Sequence, residues 1–239
     1  MKKMATLCVI SARGGSLGLP NKNIRLLLGK PLITWSIEHA LATPEIDRVV
    51  VSTDSEEIAR IARDAGAETP FLRPKHLATS EVGKWDVFKH ALESCENYYG
   101  ENYEFYVDLD CTNPLRDVGD ISASIALFRE RQKEGVESIF SICPSRKNPY
   151  FNLLESDHVG ALKISKVLPN TIVRRQDAPA VYEHVASIYV LAPKYIRRVN
   201  YLLEGHTEGY DIGCEKSLDI DSEFDFTLVE FLMKKHSLV

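Results

Sequence analysis

Between residues 6 and 143 short apolar or β-branched runs alternate with amphipathic stretches, and few folds accept that rhythm. Thr6–Ser11, Arg48–Ser52, Thr69–Leu72, Tyr103–Leu109 and Ser138–Cys143 read as strands. Between them, Pro31–Ala42 carries Leu32, Trp35, Ile37 and Leu41 on one broad stripe. Asp54 or Ser55 caps a helix that runs to Ala65, with Glu56 and Glu57 in its first turn, where the helix dipole favours anions. Lys84–Ser94 turns Val87, Phe88, Ala91 and Leu92 inward, and Val118–Lys133 is a helix that Gly135 ends. This order predicts an α/β fold: a mostly parallel sheet flanked by helices, joined by right-handed crossovers. Loops at the carboxyl ends of the strands then share one rim, where open sheets bind ligands. With 239 residues, one domain spanning 1–239 accounts for the chain.

The rhythm breaks at Pro144. From about 145 to 185 the segments are short and extended: Tyr150–Leu154, Ala161–Ser165 and Thr171–Arg175, with a hairpin turn at His158-Val159-Gly160. This predicts an antiparallel arm inserted into the domain, either a surface hairpin or a contact with a partner subunit. Ser187–Leu191 returns as a strand, Pro193–Leu203 is helical and Ser217–Ile220 is a last strand. Ser222 caps the closing helix to Lys235, with Asp225 in the capping-box position.

A net charge of −5 argues against a dedicated nucleic-acid binder but leaves room for a local basic pocket. The run after Met1-Lys2-Lys3-Met4 is too short for a signal peptide or a membrane span. Five cysteines, an odd number without a Cys-x-x-Cys pair, read as reduced thiols in a cytoplasmic protein. Cys8 and Cys143 belong in the core, and Cys111 and Cys214 are expected as small buried fillers near the site.

Four clusters fall at the shared rim. The first is Ala12-Arg13-Gly14-Gly15-Ser16-Leu17-Gly18-Leu19-Pro20-Asn21-Lys22-Asn23 after the first strand. Its glycines admit close backbone approach, and its N–H groups with Arg13 and Lys22 suit several negative oxygens. The same features also describe an ordinary basic βα turn. The others are Arg73-Pro74 with Leu77–Ser80, the stretch Asp108–Arg116, and Leu218-Asp219-Ile220-Asp221. On a strand, Asp219 and Asp221 point to one face; beside a triphosphate they suit Mg²⁺, and otherwise they cap the helix at Ser222. His39 and His90 read as surface residues, and His184 is a candidate by position alone. No spacing suggests covalent catalysis.

Together the clusters resemble the acylneuraminate cytidylyltransferases, the CMP-sialic acid synthetases. The resemblance lies in Ala12-Arg13-x-x-Ser16-x-Gly18-x-Pro20-x-Lys22-Asn23, Val51-Ser52-Thr53-Asp54, Arg73-Pro74-x-x-Leu77-Ala78, Thr112-x-Pro114-Leu115-Arg116, Arg175-Gln176 and Ser217–Asp221, in the same order over nearly the whole chain. It implies transfer of CMP from CTP to the anomeric hydroxyl of a nonulosonic acid with release of pyrophosphate, and it implies Mg²⁺ and a Rossmann-like fold. It further implies a homodimer whose arm contributes to the partner's sugar site. By the same resemblance Arg13 and Lys22 meet the triphosphate, and Ala12, Gly14 and Ser16 belong to the nucleotide site. Asn23, Arg73, Ala78, Thr79 and Ser80 surround the cytidine. Asp219 and Asp221 hold the metal, and Asp221 or a metal-held hydroxide takes the sugar's proton. Arg13, Lys22 and Asp221 are then the catalytic set. Asp110, Thr112, Arg174, Arg175, Gln176 and Tyr189 are the sugar-side candidates, with Arg175 or Arg174 forking the sugar carboxylate.

The sequence departs from that pattern at particular places. Leu17 stands where the family often has Lys, which shifts phosphate binding onto Lys22. Asp110-Cys111-Thr112-Asn113 replaces Gln-Pro-Thr-Ser, and Val185-Ala186-Ser187 replaces Asn-Gly-Ala. An Asp at 110 accepts hydrogen bonds and disfavours a second anion. Both departures lie on the sugar side, which points to a sugar other than N-acetylneuraminate, such as legionaminic or pseudaminic acid. The rival readings are a nucleotidyltransferase for 3-deoxy-manno-octulosonate or a sugar 1-phosphate, a nucleotide-binding sensor without catalysis, and an interaction module built on the arm.

Overall fold

β1 (Ala5–Ser11) is central, with five consecutive buried residues; the computed structural model describes residues 4–16, 18–170 and 172–235. Its alternation serves two faces: Cys8 and Ile10 pack into one core cluster, Leu7 and Val9 into the other. After it come a small hairpin, β2 (Leu26–Leu27) and β3 (Lys30–Pro31), then α1 (Leu32–Leu41), β4 (Arg48–Ser52) and α2 (Glu56–Asp64). The chain continues through α3 (Lys84–Tyr99), β5 (Tyr103–Leu109), α4 (Val118–Arg131) and β6 (Ser138–Pro144). Next are β7 (Leu154–Ser156), β8 (Leu162–Ile164), β9 (Tyr182–Leu191), α5 (Pro193–Arg198), β10 (Thr207–Asp211) and α6 (Glu223–Lys235).

The main sheet has the order β10-β6-β9-β5-β1-β4. β1 pairs in parallel with β4 and β5, and β10 in parallel with β6; β9 runs antiparallel between β5 and β6. Residues of α1, α2 and α4 (Ile33, Ile37, Ile58, Ile121, Phe128) cover one face, and those of α3 and α5 (Trp85, Phe88, Ile196) the other. The expected mostly parallel α/β architecture is the one observed. A third cluster joins Leu19 and Leu27 to Ile220, Phe226 and Val229, so α6 packs under the end of the glycine-rich loop. Among the described residues no helix is long and apolar enough to cross a membrane.

Local signals decide most boundaries. The Ser55 hydroxyl accepts from the Ile58 N–H at 3.4 Å and starts α2. Gly135, at φ +88°, stops the turn that follows α4. At α6, Ser222 and Asp225 form the reciprocal cap, with Asp225 accepting from the Ser222 N–H at 2.8 Å and the Ser222 hydroxyl accepting from the Asp225 N–H at 3.3 Å.

Several expectations are corrected. Thr69–Leu72 is not a strand: pairing with β4 is a single bridge at Val50–Glu68, and Pro70 has no N–H to extend it. Ser217–Ile220 is not a strand either. The edge position beside β6 belongs to β10, whose sequence lacks alternation and whose Gly209 leaves room for the Ile142 side chain. The helix predicted over 193–203 ends at Arg198, and the one from Lys84 runs on to Tyr99. In the 145–185 stretch, β7 and β8 form the hairpin around a Gly160 turn, but Tyr150–Leu153 and 172–175 are not extended strands. Thr171 and Leu17 lie outside the described residues. Cys214 is exposed, while the other four cysteines are buried.

His39 and His90 are half-buried, not surface residues, and Nδ1 of each finds no partner among the described residues. Burial, helped by the Arg116 charge, lowers His39 to about 4. A lowered folded-state pKa means that the unfolded chain binds the extra proton first. Stability is therefore lost as pH falls from about 6.5 towards 4, by up to about 3 kcal/mol. Urea unfolding of His39→Gln at pH 5 and 7 is expected to show a smaller difference between the two pH values than the parent chain does.

Candidate active site

Past the carboxyl end of β1 the chain turns sharply instead of extending. The Ala12 N–H donates to Ser52 O at 3.0 Å and the Gly14 N–H to the Asp54 carboxylate at 2.9 Å, which bends the loop back over β4. Asn23 closes it by donating from Nδ2 to Arg13 O at 3.0 Å. At Gly18 an added Cβ would sit 2.6 Å from Asp221 O, so only glycine lets the loop lie against the Asp219–Asp221 segment.

This loop forms one wall of a cleft of roughly 300 Å³. The cleft brings together Arg13, Ser16, Lys22 and Asn23 from the loop, Arg73, Thr79 and Ser80 from the connection before α3, and Asp110 and Thr112 after β5. Ala12, Gly14 and Ala78 stand behind it and shape the backbone without lining it. Arg73 is buried, yet its Nε and Nη2 find no partner among the described residues. Burial pushes its guanidinium pKa down against the pull of Asp54 and Asp108. An unpaired buried guanidinium facing a cleft is a site for an anion or a carbonyl oxygen.

The cleft floor holds a group that sequence reasoning passed over. Lys84, the first residue of α3, places its ammonium 3.0 Å from Asp108 Oδ1 and 2.8 Å from Asp110 Oδ2, above the Tyr189 ring. Asp110 Oδ1 accepts from the Thr112 hydroxyl at 2.9 Å. Burial opposes ionisation, but the Lys84 charge with the Thr112 hydrogen bonds holds Asp110 down at about 2. Asp110 therefore meets the cleft already paired with Lys84, an ammonium that it shares with Asp108. The overlooked signal was Asp108-x-Asp110 itself, two rim carboxylates that need a counter-ion. Tyr189 is buried beneath Lys84 and does not line the cleft. His184 is exposed beside it, its ring edge-on to Phe140 and Tyr189. Arg116, wholly buried, ties the floor together by donating to Asp110 O at 2.8 Å and Asn113 O at 2.6 Å.

Asp219 and Asp221 stand at the rim on an irregular loop, not on the strand that was expected. Lys22 donates to Asp221 Oδ1 at 2.9 Å and to Ile220 O at 2.6 Å. Oδ1 of Asp219 is buried and has no partner among the described residues. Burial raises the Asp219 carboxyl; a Thr112 hydrogen bond and the Lys22 charge oppose that rise, and the Asp110 and Asp221 charges add to it. Such a carboxylate is short of positive charge. Among the described residues no group of three or more His, Cys, Asp or Glu is placed to hold a metal ion by itself. Two carboxylates with an orphaned oxygen fit Mg²⁺, which takes one or two protein carboxylates and fills its shell with water and phosphate oxygens. Arg174, Arg175 and Gln176 do not reach this cleft. Arg174 is paired with Asp177 at 2.8 Å, and Arg175 donates to Ser145 O at 3.0 Å.

A mostly parallel sheet with a cation-lined cleft at its carboxyl edge defines the class of α/β proteins that bind phosphorylated ligands. The Cytidylyltransferase family model matches residues 7–225, and the chain belongs to that family of nucleotidyltransferases. It is 37% identical over 232 residues to the CMP-N,N'-diacetyllegionaminic acid synthase of Campylobacter jejuni, covering 97% of this chain and 96% of that protein. It is 31% identical to the N-acylneuraminate cytidylyltransferase of Escherichia coli, covering 96% of this chain and 52% of that one. The fold matches a solved CMP:2-keto-3-deoxy-manno-octonic acid synthetase complexed with CTP, with a TM-score of 0.72 over 97% of this chain and 99% of that one, at 15% identity.

Proposed function

We propose that the protein transfers the cytidylyl group of CTP to the anomeric hydroxyl of a nonulosonic acid, releasing pyrophosphate, and that this acid is a diamino sugar of the legionaminic type. The observation that carries the first half is a pair of opposites about one cleft: Arg73 in its lining with unpaired N–H groups, and Asp219 at its rim, beside the lining residue Thr112, with an unpaired carboxylate oxygen. A nucleotide whose base carbonyl meets Arg73 and a divalent cation at Asp219 would together satisfy both. The second half rests on the 37% relative. Lys84 and Asp110 at the cleft floor offer a donor and an acceptor side by side, which an acylamino group on such a sugar would match.

In this reading Arg13 and Lys22 hold the triphosphate, with Gly14 and Ser16 giving the backbone approach. Asn23, Arg73, Thr79 and Ser80 hold the nucleoside. Asp219 and Asp221 would hold Mg²⁺, which neutralises charge on the phosphate oxygens when bound. Lys22 leaves Asp221 for the triphosphate, and the Asp221 oxygen not given to the cation accepts the sugar's proton. Attack at the α-phosphorus builds charge on its oxygens and on the departing pyrophosphate, and each preorganised cation lost there costs roughly 3 kcal/mol.

The arm makes the protein a homodimer in this reading. It exposes Leu154, Val159, Leu162, Val167 and Val173, apolar surface that a second copy would cover, and it carries Arg174, Arg175 and Gln176 towards the partner's cleft. Arg175 then forks the sugar carboxylate. Pyrophosphate release should be measured with CTP and a panel of legionaminic, pseudaminic, N-acetylneuraminic and 3-deoxy-manno-octulosonic acids. The highest kcat/KM is expected on a diamino sugar. A maximum on N-acetylneuraminate would overturn the sugar assignment, and CTP binding without turnover on any of the four would favour a sensor.

A further inference from the structure

The Asp219–Asp221 loop has no strand partner, yet its backbone is held at both sides of Asp219. One side chain does most of this. Asn113 is fully buried, and the two N–H bonds of its Nδ2 go to Lys216 O at 2.9 Å and Leu218 O at 3.0 Å. The next residue after Asp219 is fixed by the same stretch, because the Ile220 N–H donates to Thr112 O at 2.9 Å. A single carboxamide therefore spans the turn that delivers Asp219 to the rim.

A carboxamide can face either way, and something must choose. The Ser187 hydroxyl donates to Asn113 Oδ1 at 3.0 Å, which leaves only Nδ2 to face the two carbonyls. Ser187 is itself fully buried and aimed by a bulge. The β6–β9 register shifts between Phe140 and Ile142, and the Ser141 hydroxyl fills the gap, donating to Val185 O and accepting from the Ile188 N–H, both at 2.8 Å. Bulges re-aim side chains, and this one turns Ser187 towards Asn113. Through its carbonyl Ser187 also accepts from the Asp110 N–H at 3.1 Å, so one residue braces both the cleft floor and the carboxylate loop. Asn113 and Ser187 are two of the positions where the sequence departs from the acylneuraminate pattern, and the structure shows that they touch.

We propose that Asn113, oriented by Ser187, is a positioning residue that holds the Asp219–Asp221 loop in the arrangement that binds a divalent cation. This rests on the reading of Asp219 and Asp221 as metal ligands. Groups that fix the ligands of a metal typically change its affinity by about tenfold or more when lost. A mere core-filling role would lower stability and leave the loop's amides and its cation affinity alone.

The test is Mn²⁺ binding to the full chain without nucleotide, followed by EPR, alongside hydrogen exchange of the Ile220 amide. Asn113→Ser is expected to weaken Mn²⁺ binding about tenfold and to speed Ile220 exchange by a similar factor. Ser187→Ala is expected to weaken binding by about threefold, and the double variant to be no weaker than Asn113→Ser alone, because the two act in series. If Asn113→Ser does not fold, Ser187→Ala and its Ile220 exchange decide. Parent-like Mn²⁺ affinity and exchange in folded variants with lowered Tm would overturn the latch while leaving the metal site standing. No Mn²⁺ binding by the parent chain would overturn the metal reading and the latch with it.

Discussion

Lys22→Ala is expected to cut kcat by about 10² or more while shifting Tm by no more than ~2 °C. The two halves of that result come from different features of the same side chain. Lys22 lies 13% exposed at the cleft wall, but its carboxylate partner, Asp221, is 75% exposed. An ion pair with one member in water contributes about 0–1 kcal/mol. The folded state therefore loses little. The transition state for cytidylyl transfer loses a preorganised cation next to the phosphates, worth roughly 3 kcal/mol. Leu17, where related loops often carry Lys, concentrates this demand on Lys22 and Arg13. Pyrophosphate release at saturating CTP, with calorimetric melting on the same preparation, checks both halves. Near-normal turnover would remove Lys22 from the catalytic set. A large fall in Tm would make the loss of rate uninformative, and Lys22→Met, which keeps most of the stem, would then separate the charge from the packing.

The strands that make the sheet are legible because their burial is two-sided: Thr6–Ser11 and Arg48–Ser52 are apolar between their end residues, and Tyr103–Leu109 is broken only by Glu104 and Asp108, the mark of parallel strands covered on both faces. β10 is not, because Thr207–Asp211 has only one apolar side chain, Tyr210, and its pairing is set by β6 and the space that Gly209 leaves. Ser217–Ile220 was misread for the opposite reason. Its apolar residues, Leu218 and Ile220, pack against Leu19 and α6 in the third cluster, and a short run with two inward residues looks the same whether a strand or a side-chain latch holds it. The same limit governed the site. Arg13, Lys22, Asp110 and Thr112 are legible from their place after strands, and Arg73 from its place after Thr69–Leu72, which reads as a strand and is not one. Lys84 is not, because it opens a helix from a different part of the chain, and only the packing of α3 against β5 and β9 brings its ammonium over Asp108. Asn113 and Ser187 were read as separate departures, since a hydrogen bond across 74 positions leaves no trace in a single sequence.

Lys84→Met is the substitution with the largest expected effect on stability. It leaves Asp108, which is fully buried, and Asp110 without the one ammonium between them. Breaking a buried ion pair by removing one partner costs about 3–5 kcal/mol, more than replacing the pair whole. The sign of the pH dependence tells this apart from lost packing. In the parent chain Asp110 is held at about 2, so its contribution is present above the ordinary carboxylate pKa and is lost as pH falls below it. Without Lys84, burial lifts Asp110 above its unfolded value and lifts Asp108, already raised by burial in the parent chain, further. The folded state then binds protons that the unfolded chain does not, and stability falls as pH rises through about 4. The deficit relative to the parent is therefore expected to be smallest near pH 4 and widest at neutrality. Lys84→Met with Asp110→Asn should recover part of the loss at pH 7, because one of the two unpaired charges is gone. Denaturant midpoints of the three chains at pH 4 and 7 measure this. A deficit independent of pH and untouched by Asp110→Asn would show that Lys84 acts by packing on Tyr189 and Phe88, and that Asp110 meets the cleft without its help.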